Sequence, residues 1–434
     1  MEPVTHILTG ACLSRTGLNR SAAYATLTMA VAAEFPDIDT LWGLRGPVEG
    51  FEHHRGITHA FLGLPFEAAF IVAAVYGWHR WRVRRARATA EARSRFPYTP
   101  AGIERLPGTP AAGMTERKTT AKTGAGALIQ GEGAAQAAVV KPLTAAPVRW
   151  GVLYGLALLA LLSHLLLDYA NNYGLRPFFP FNDRWYAASI VFIFDPVMFV
   201  LLLGALIAPW LFGLVGSEVG ARKQPFPARG WAIAALLGVA GLWTLRAVEH
   251  EHAVQMAMAQ SIAAPVPVMS SAPPLPPDAL ARAEPTPTYL SAQRVLASPD
   301  PLNPFQWSAV TDFGPLYQLS EIDTRNRELT TGDTTYPKPG RSAAVLAAEE
   351  SQLGRVYMDW SPMPIVDVAR ADSELAAATS GDPGAVGAVV VTFRDPRFMG
   401  GWMGDAARSA LVGTVALDAA GHVARETMDG HVER

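Results

Sequence analysis

Three stretches of this chain carry no formal charge over lengths that matter to a membrane: Trp150–Leu167, Pro196–Ser217 and Gly230–Leu245. A helix needs about 20 mostly apolar residues to cross a bilayer. In the first stretch His164 is the one ionisable group. The third is shorter, with Trp231 and Trp243 placed as interfacial anchors. A fourth run, Ala60–Trp78, holds a single acid, Glu67. Two further apolar runs, Pro3–Ser14 and Ser21–Ala33, are split by Arg15 and Arg20. At ~1.5 Å per residue neither easily spans alone. They suit a helical hairpin dipping into the membrane, or a short second span. The reading is four spans and one ambiguous N-terminal element.

Basic residues set the orientation of such spans. The loop from His79 to Arg149 is the most basic segment and begins HRWRVRRAR, so it is assigned to the cytoplasm. Ala60–Trp78 then runs from outside to inside, and Trp150–Leu167 returns. Pro196–Ser217 goes back in, to a loop holding Arg222, Lys223 and Arg229. Gly230–Leu245 exits again, which leaves the rest of the chain extracytoplasmic. The expected location is the bacterial inner membrane, with several passes and a periplasmic C-terminal domain.

The 434 residues suit two or three domains. Half are hydrophobic and 17% charged, but the apolar residues concentrate before residue 250. A formal net charge of −2 argues against a nucleic-acid partner. One cysteine, Cys12, rules out an internal disulfide and reads as a small core residue. Residues 86–148, rich in Ala, Gly, Thr and Lys, read as a flexible cytoplasmic insert. Residues 251–288 serve as a linker, proline-rich from 262 onward. After it, FQWSAVTDF, PLYQLSEID, RVYMDW, GAVVVTFRD and LVGTVALD read as strands, with a helix at Ala343–Gln352. The expected fold is a mainly α-helical integral membrane domain of four to five spans (1–250), followed by a β-rich soluble domain (289–434).

Ionisable groups beside a membrane span are costly unless they bind something. Glu52–His59 reads EHHRGITH, with three histidines and an arginine in eight residues. His54 and His59 stand five apart, with Gly56 between them to permit a turn. EFPDID places Asp37 and Asp39 one residue apart, where two carboxylates repel unless a cation or proton relieves them. His164 and Asp168, four apart on a helix, project from one face. They can share one ion, or the carboxylate can orient the imidazole from behind. Taken singly, each has a plain reading: a histidine-rich surface loop, a solvated acidic turn, an intramembrane hydrogen-bonded pair. Their joint occurrence favours a metal site, since the charge pattern puts most of them on the outer face. His6 joins them only if the N-terminal pair is a hairpin inserted from outside, or if the site is sunk in the membrane. Imidazoles with carboxylates suit zinc, and also manganese or iron. Arg55 could bind a phosphate oxygen or developing negative charge. Asp37 or Asp39 could be a ligand or the general base. Glu34 and Asp195 are weaker additions, and Asp195-Pro196 also reads as a helix cap.

THILTG, EFPDID, HHRGITH and SHLLLDYANNYG, followed by RPFFPF, resemble the YdjM-like family of inner-membrane metal-dependent hydrolases. The resemblance covers roughly residues 1–215, and the chain departs from it by the insert at 86–148 and the large tail. Downstream, NPFQW and DPRF are similar to a C-terminal segment of some members. By this resemblance His6, Asp37, Asp39, His54, His59, His164 and Asp168 are the ligand set, with His53 an alternative to His54. The family's likeness to zinc-dependent phospholipase C implies phosphoester or lipid-like substrates.

The leading expectation is therefore a hydrolase of phospholipase C or other phosphodiesterase type. It would use metal-activated water at the outer membrane face, with zinc as the first choice among divalent metals. The alternative is a non-enzymatic, metal-stabilised scaffold or envelope-stress protein. A metal or proton transporter ranks below both, because the clusters sit near one face rather than along a path. The tail shows no catalytic constellation, and is expected to bind a protein partner or cover the site.

Overall fold

The computed structural model describes residues 2–95, 147–218, 228–263, 289–370, 389–399, 411–418 and 420–433. The chain divides into two compact units, Met1–Val72 with Val148–Arg434, and Ala73–Pro147. Helices α1 (Pro3–Arg15) and α2 (Ala25–Glu34) form the N-terminal hairpin. Gly10 sets their separation: a Cβ there would stand 2.5 Å from the Met29 carbonyl oxygen and 2.7 Å from the Ala33 Cβ. Small residues at such crossings let helix backbones approach closely. A 3₁₀ segment, Phe35–Leu44, leads to the short helix α3 (Pro47–His53). A second 3₁₀ turn, Ile57–His59, precedes α4 (Leu64–Arg95). The second unit is described only as the continuation of α4, which runs into the expected insert as far as Arg95. The remainder of that insert, and its expected flexibility, lies outside the described residues.

Helices α5 (Trp150–Ala170), α6 (Pro196–Glu218) and α7 (Ala228–Met258) complete the helical part. Met29, Ala32, Leu153, Ala157, Ala160 and Leu161 fill one core between α2 and α5. Leu8, Cys12, Met198, Leu202 and Ala235 fill a second between α1, α6 and α7. Among the described residues, α5 and α7 are long and apolar enough to cross a membrane. A third candidate arises if Pro47–His59 and Leu64–Glu91, bent by 86° at their junction, count as one span. Four to five spans are thus not all found among the described residues: the bend breaks up the segment around Ala60–Trp78, and the part of α6 that was assessed, Pro196–Phe212, is apolar but short of a full span.

Helix α7 links the two parts of the fold. Its 31 residues reach about 46 Å, against a hydrocarbon core of about 30 Å. Its last turns, part of the linker drawn from sequence, pack Ala253 and Ala257 against Trp307, Ala309 and Ile322. These belong to an antiparallel meander of β3 (Arg294–Pro299), β4 (Gln306–Asp312), β5 (Leu316–Asp323) and β6 (Glu328–Pro337). Beside it β1 (Ser261–Ala263) pairs with β2 (Tyr289–Ser291), so this end of the linker also has structure. Residues 264–288 lie outside the described residues. Helices α8 (Ala343–Glu350) and α9 (Gln352–Trp360) follow. A second meander holds β7 (Ile365–Arg370), β8 (Val389–Arg394), β9 (Gly413–Leu417), β10 (Val423–Met428) and β11 (His431–Val432).

RVYMDW, expected as a strand, is the end of α9. Ser351 caps that helix by accepting a hydrogen bond from the Gly354 amide at 3.0 Å. Leu353, Gly354, Tyr357 and Trp360 are buried, a helical period that the alternation within RVYMDW concealed. Leu353, Tyr357 and Trp360 share a core with Val391, Phe393 and Val415 of the second sheet, and with Val48, Phe51 and Tyr173 from the helical part.

Candidate metal centre

Four side chains converge between α2, α5 and the 3₁₀ segments. One ligand atom from each of Asp37, His59, His164 and Asp168 lies within 4.8 Å of all the others. The two imidazole Nε2 atoms are 3.0 Å apart. His59 Nε2 is 3.2 Å from Asp37 Oδ1 and 3.3 Å from Asp168 Oδ2. His164 Nε2 is 3.4 Å from the same Asp168 oxygen and 3.7 Å from Asp37 Oδ1. Donors held about 2.0–2.1 Å from a tetrahedral zinc stand about 3.3 Å apart, so the spacing fits an ion of that size.

The hydrogen bonds behind the two rings suit metal-binding imidazoles. His164 Nδ1 lies 2.7 Å from the Ala33 carbonyl, which can only accept, so this nitrogen donates. His59 Nδ1 lies 3.1 Å from Asp39 Oδ2. With both rings neutral and Nδ1 protonated, the two Nε2 lone pairs would face each other and two carboxylates, and a cation between them would relieve that; without a metal, a proton on His59 Nε2 lets it donate to Asp37 and Asp168 instead.

Asp39 and His54, expected as ligands, stand behind the four. Besides His59, the Asp39 carboxylate accepts from the Arg55 amide at 2.7 Å and the Thr58 hydroxyl at 3.1 Å, and lies 3.2 Å from His54 Nδ1. Arg55 takes the left-handed conformation here, with φ of 56°, in the turn for which Gly56 was the expected hinge. Burial alone would raise the carboxyl pKa values of Asp37 and Asp39. Hydrogen bonding to His59, and for Asp39 also to His54, outweighs it and holds both below the usual carboxylate range.

His6 reaches the site because the α1–α2 hairpin carries its two ends to His164. Its ring stacks on His164 at 3.8 Å between centroids, and its Nε2 is 3.6 Å from Asp168 Oδ1. Neither ring nitrogen of His6 has a hydrogen-bond partner among the described residues. His53 turns away: it stacks on Trp42 at 4.1 Å, and its Nδ1 is 3.0 Å from the Glu49 carbonyl. Asp195 is also elsewhere. It caps α6 through the Met198 amide at 2.9 Å and pairs with the buried Arg246 at 3.1 Å.

Arg55 is buried and engaged within the protein. Its guanidinium donates to Asp168 Oδ1 at 2.9 Å and to the Gly174 carbonyl, and lies over the Tyr173 ring at 4.6 Å. Asn171 Nδ2 adds a 3.2 Å bond to the same Asp168 oxygen, while its Oδ1 accepts from the Tyr173 and Gly174 amides. The C-terminal part closes over this segment. Trp360 Nε1 donates to the Tyr173 carbonyl at 3.3 Å, and Arg397 to the Asn172 carbonyl at 2.7 Å. Arg397, within DPRF, is held by two bonds to Asp395, of 2.9 Å and 2.7 Å. Asn171, Tyr173, Trp360 and Arg397 were not singled out in sequence. Asn171 and Tyr173 lay inside a quoted motif, but nothing local marks Trp360 or Arg397 as neighbours of residue 172.

His6, His59, His164 and Asp168 are fully buried, whereas Asp37 is partly open. Asp37 lines a groove of about 470 Å³ together with Glu34, Ile7, Val31, Ile38 and Leu41. Those four aliphatic residues are all exposed, so the mouth of the site is largely apolar, with Thr40 and the two acids as its polar lining.

The YdjM inner membrane protein family matches residues 1–253, more than half of the chain. The chain belongs to this family. No curated protein matches it, and no solved structure does. All four converging ligands lie inside the YdjM match, and Trp360 and Arg397 lie outside it. The chain is thus an inner membrane protein of the YdjM family with a His/Asp group able to hold a metal. Its β-rich C-terminal part packs on the segment behind that group.

Proposed function

We propose that the chain is a membrane-bound, metal-dependent hydrolase of phosphoester, lipid-like substrates. The observation that carries this reading is the convergence of two imidazoles and two carboxylates whose one partly open member, Asp37, faces an apolar groove. Asp37, His59, His164 and Asp168 would hold a divalent ion, zinc first. Such an ion supplies Lewis acidity and activates water for attack. Asp39 and the Ala33 carbonyl fix the two imidazoles, and Arg55 holds Asp168 in place rather than reaching for substrate. Glu34, whose Oε2 is buried with no hydrogen-bond partner among the described residues, lines the same groove and is placed to exchange a proton with an attacking water. The aliphatic lining would accept acyl chains, while the phosphoester would be drawn to the cation that Asp37 helps to hold. The basic run His79–Arg87 within α4 is cytoplasmic by the positive-inside rule, as is Arg222–Arg229. The site, and with it the C-terminal domain, then faces the periplasm of a multi-pass protein.

The test is elemental analysis of protein purified in detergent, beside hydrolysis of a chromogenic phosphodiester and of short-chain phospholipids. The reading requires one or more divalent ions per chain and turnover that a chelator abolishes and metal restores. Metal-free protein that cannot be reloaded sinks it. A second reading, a metal-stabilised scaffold, draws on the depth of the site, since three of the four ligands are fully buried. His59→Ala separates the two. An enzyme loses turnover with normal abundance, whereas a scaffold loses abundance and has no turnover to lose.

A further inference from the structure

A chain of four side chains runs from the metal centre into the C-terminal part. The Arg55 guanidinium, which donates to Asp168 Oδ1 at 2.9 Å, lies over the Tyr173 ring at 4.6 Å. That ring packs on Trp360, with 4.9 Å between centroids. Arg397 lies over the Trp360 ring at 4.9 Å. Cation, ring, ring and cation thus follow one another, with Asp168 at one end and Asp395 at the other. All four side chains are buried, and a cation over a ring is held more strongly where water is excluded.

The far end of this chain is the firmer one. Arg397 bonds both oxygens of Asp395, and one of those oxygens also accepts from the Ser361 hydroxyl at 2.6 Å. From there the C-terminal part grips the backbone on either side of the tyrosine ring: Arg397 bonds the Asn172 carbonyl, and Trp360 the Tyr173 carbonyl. Tyr173 also meets the His54 ring at 5.5 Å. His54 Nδ1 and the Arg55 amide both reach Asp39, the residue behind His59. One ring therefore bears on the partners of two carboxylates at the centre. Helix α9 holds the preceding segment as well. Gln352 donates to Glu52 at 2.7 Å, and Trp360 meets Phe51 edge-on at 5.3 Å, both in α3, which leads directly into His54 and Arg55.

We propose that Trp360 and Arg397 are positioning residues of the metal centre. By holding Tyr173 against Arg55 they fix the Asp168 carboxylate and raise its affinity for the ion. Both lie beyond the family match at residues 1–253, so the C-terminal part adds this control to the helical part. The inference rests on the reading of Asp37, His59, His164 and Asp168 as metal ligands.

Full-length protein in detergent is titrated with zinc against a chelator, and the visible absorption of its cobalt(II) form is recorded. Partners behind a metal ligand typically set affinity about 10–100-fold, so Trp360→Leu and Arg397→Gln should each weaken zinc binding about tenfold and shift the cobalt bands. Trp360→Phe keeps a ring on Tyr173 and should recover most of the affinity. Trp307→Leu removes a buried indole from the core on α7 instead, so it should lower Tm and leave affinity unchanged. If Trp360→Leu loses the wild-type gel-filtration profile, Arg397→Lys, which keeps the charge but not the fork on Asp395, carries the test with a smaller drop. Wild-type affinity in folded variants overturns the proposal alone, as does an equal loss in Trp307→Leu. Wild type that takes up neither ion overturns the metal reading, and this inference with it.

Discussion

Each residue at the centre has a separable job. His59 and His164 supply the Nε2 donors, so His59→Ala or His164→Ala should leave the purified protein with less than about a tenth of the wild-type metal by elemental analysis. Asp39 acts from behind His59, so Asp39→Asn should keep the site but weaken metal binding about 10–100-fold in a chelator competition. Asp39 also predicts an acid profile for the metal-free protein. Its folded pKa lies below the unfolded value of about 3.9. The stability it contributes is therefore full above that pH and is lost as pH falls through the lower folded value. The difference in unfolding free energy between wild type and Asp39→Asn should stay flat from pH 8 to 5 and shrink only below about pH 4. A gap that closes between pH 8 and 6 would contradict the assignment. Arg55→Met leaves the buried Asp168 without its cation, a change that typically costs about 3–5 kcal/mol. It should appear as a large fall in Tm that added metal partly reverses. At this scale the ligand types were legible because membrane-adjacent His and Asp are rare enough to notice. The split between ligands and their supports was not, since it depends on which nitrogen meets which oxygen. EHHRGITH looks the same whether His53, His54 or His59 points inward.

At the scale of elements, the hairpin of α1 and α2 decides whether His6 and the Ala33 carbonyl both reach His164. The short runs Pro3–Ser14 and Ser21–Ala33 allowed this hairpin, but periodicity could not choose it over a short span. Gly10 makes the close crossing possible, so Gly10→Val should force the helices apart at a cost of about 1–3 kcal/mol. The lowered Tm should come with weaker metal retention, because Ala33 moves with α2. A variant that melts lower but holds metal as tightly as the wild type would separate the crossing from the site. Strands β4, β5, β8 and β9 lie where the β-branched runs placed them, although their burial is nearly continuous rather than alternating, because both faces are largely covered. RVYMDW fails that logic. Its alternation is accidental, and the Ser351 cap with its neighbours Leu353 and Gly354 makes the segment helical.

At the scale of the whole molecule, the C-terminal part is held to the helical part by the continuous rod of α7, by the packing of Val48 and Phe51 of α3 on α9, and by the contact of Trp360 and Arg397 with residues 172 and 173. Truncating a buried aromatic typically costs about 3–5 kcal/mol. Trp360→Ala should therefore weaken the docking while α7 still tethers the C-terminal part. Limited proteolysis should then cut within 289–433 faster than in the wild type, with the helical part intact. Equal cleavage rates would show that the contact adds no stability. Sequence placed β-rich segments after a proline-rich stretch. It could not show the docking, because residues 172 and 397 are joined by packing alone.

That docking has a consequence in time. The four converging ligands end at residue 168, and the indole that packs on Tyr173, five residues further on, is residue 360. A ribosome adding about 5–20 residues per second makes the second about 10–40 s after the first. A newborn chain thus passes through an interval in which all four donors exist and the Tyr173 segment beside them is still uncovered, so the helical part must hold itself together before its C-terminal cover is made.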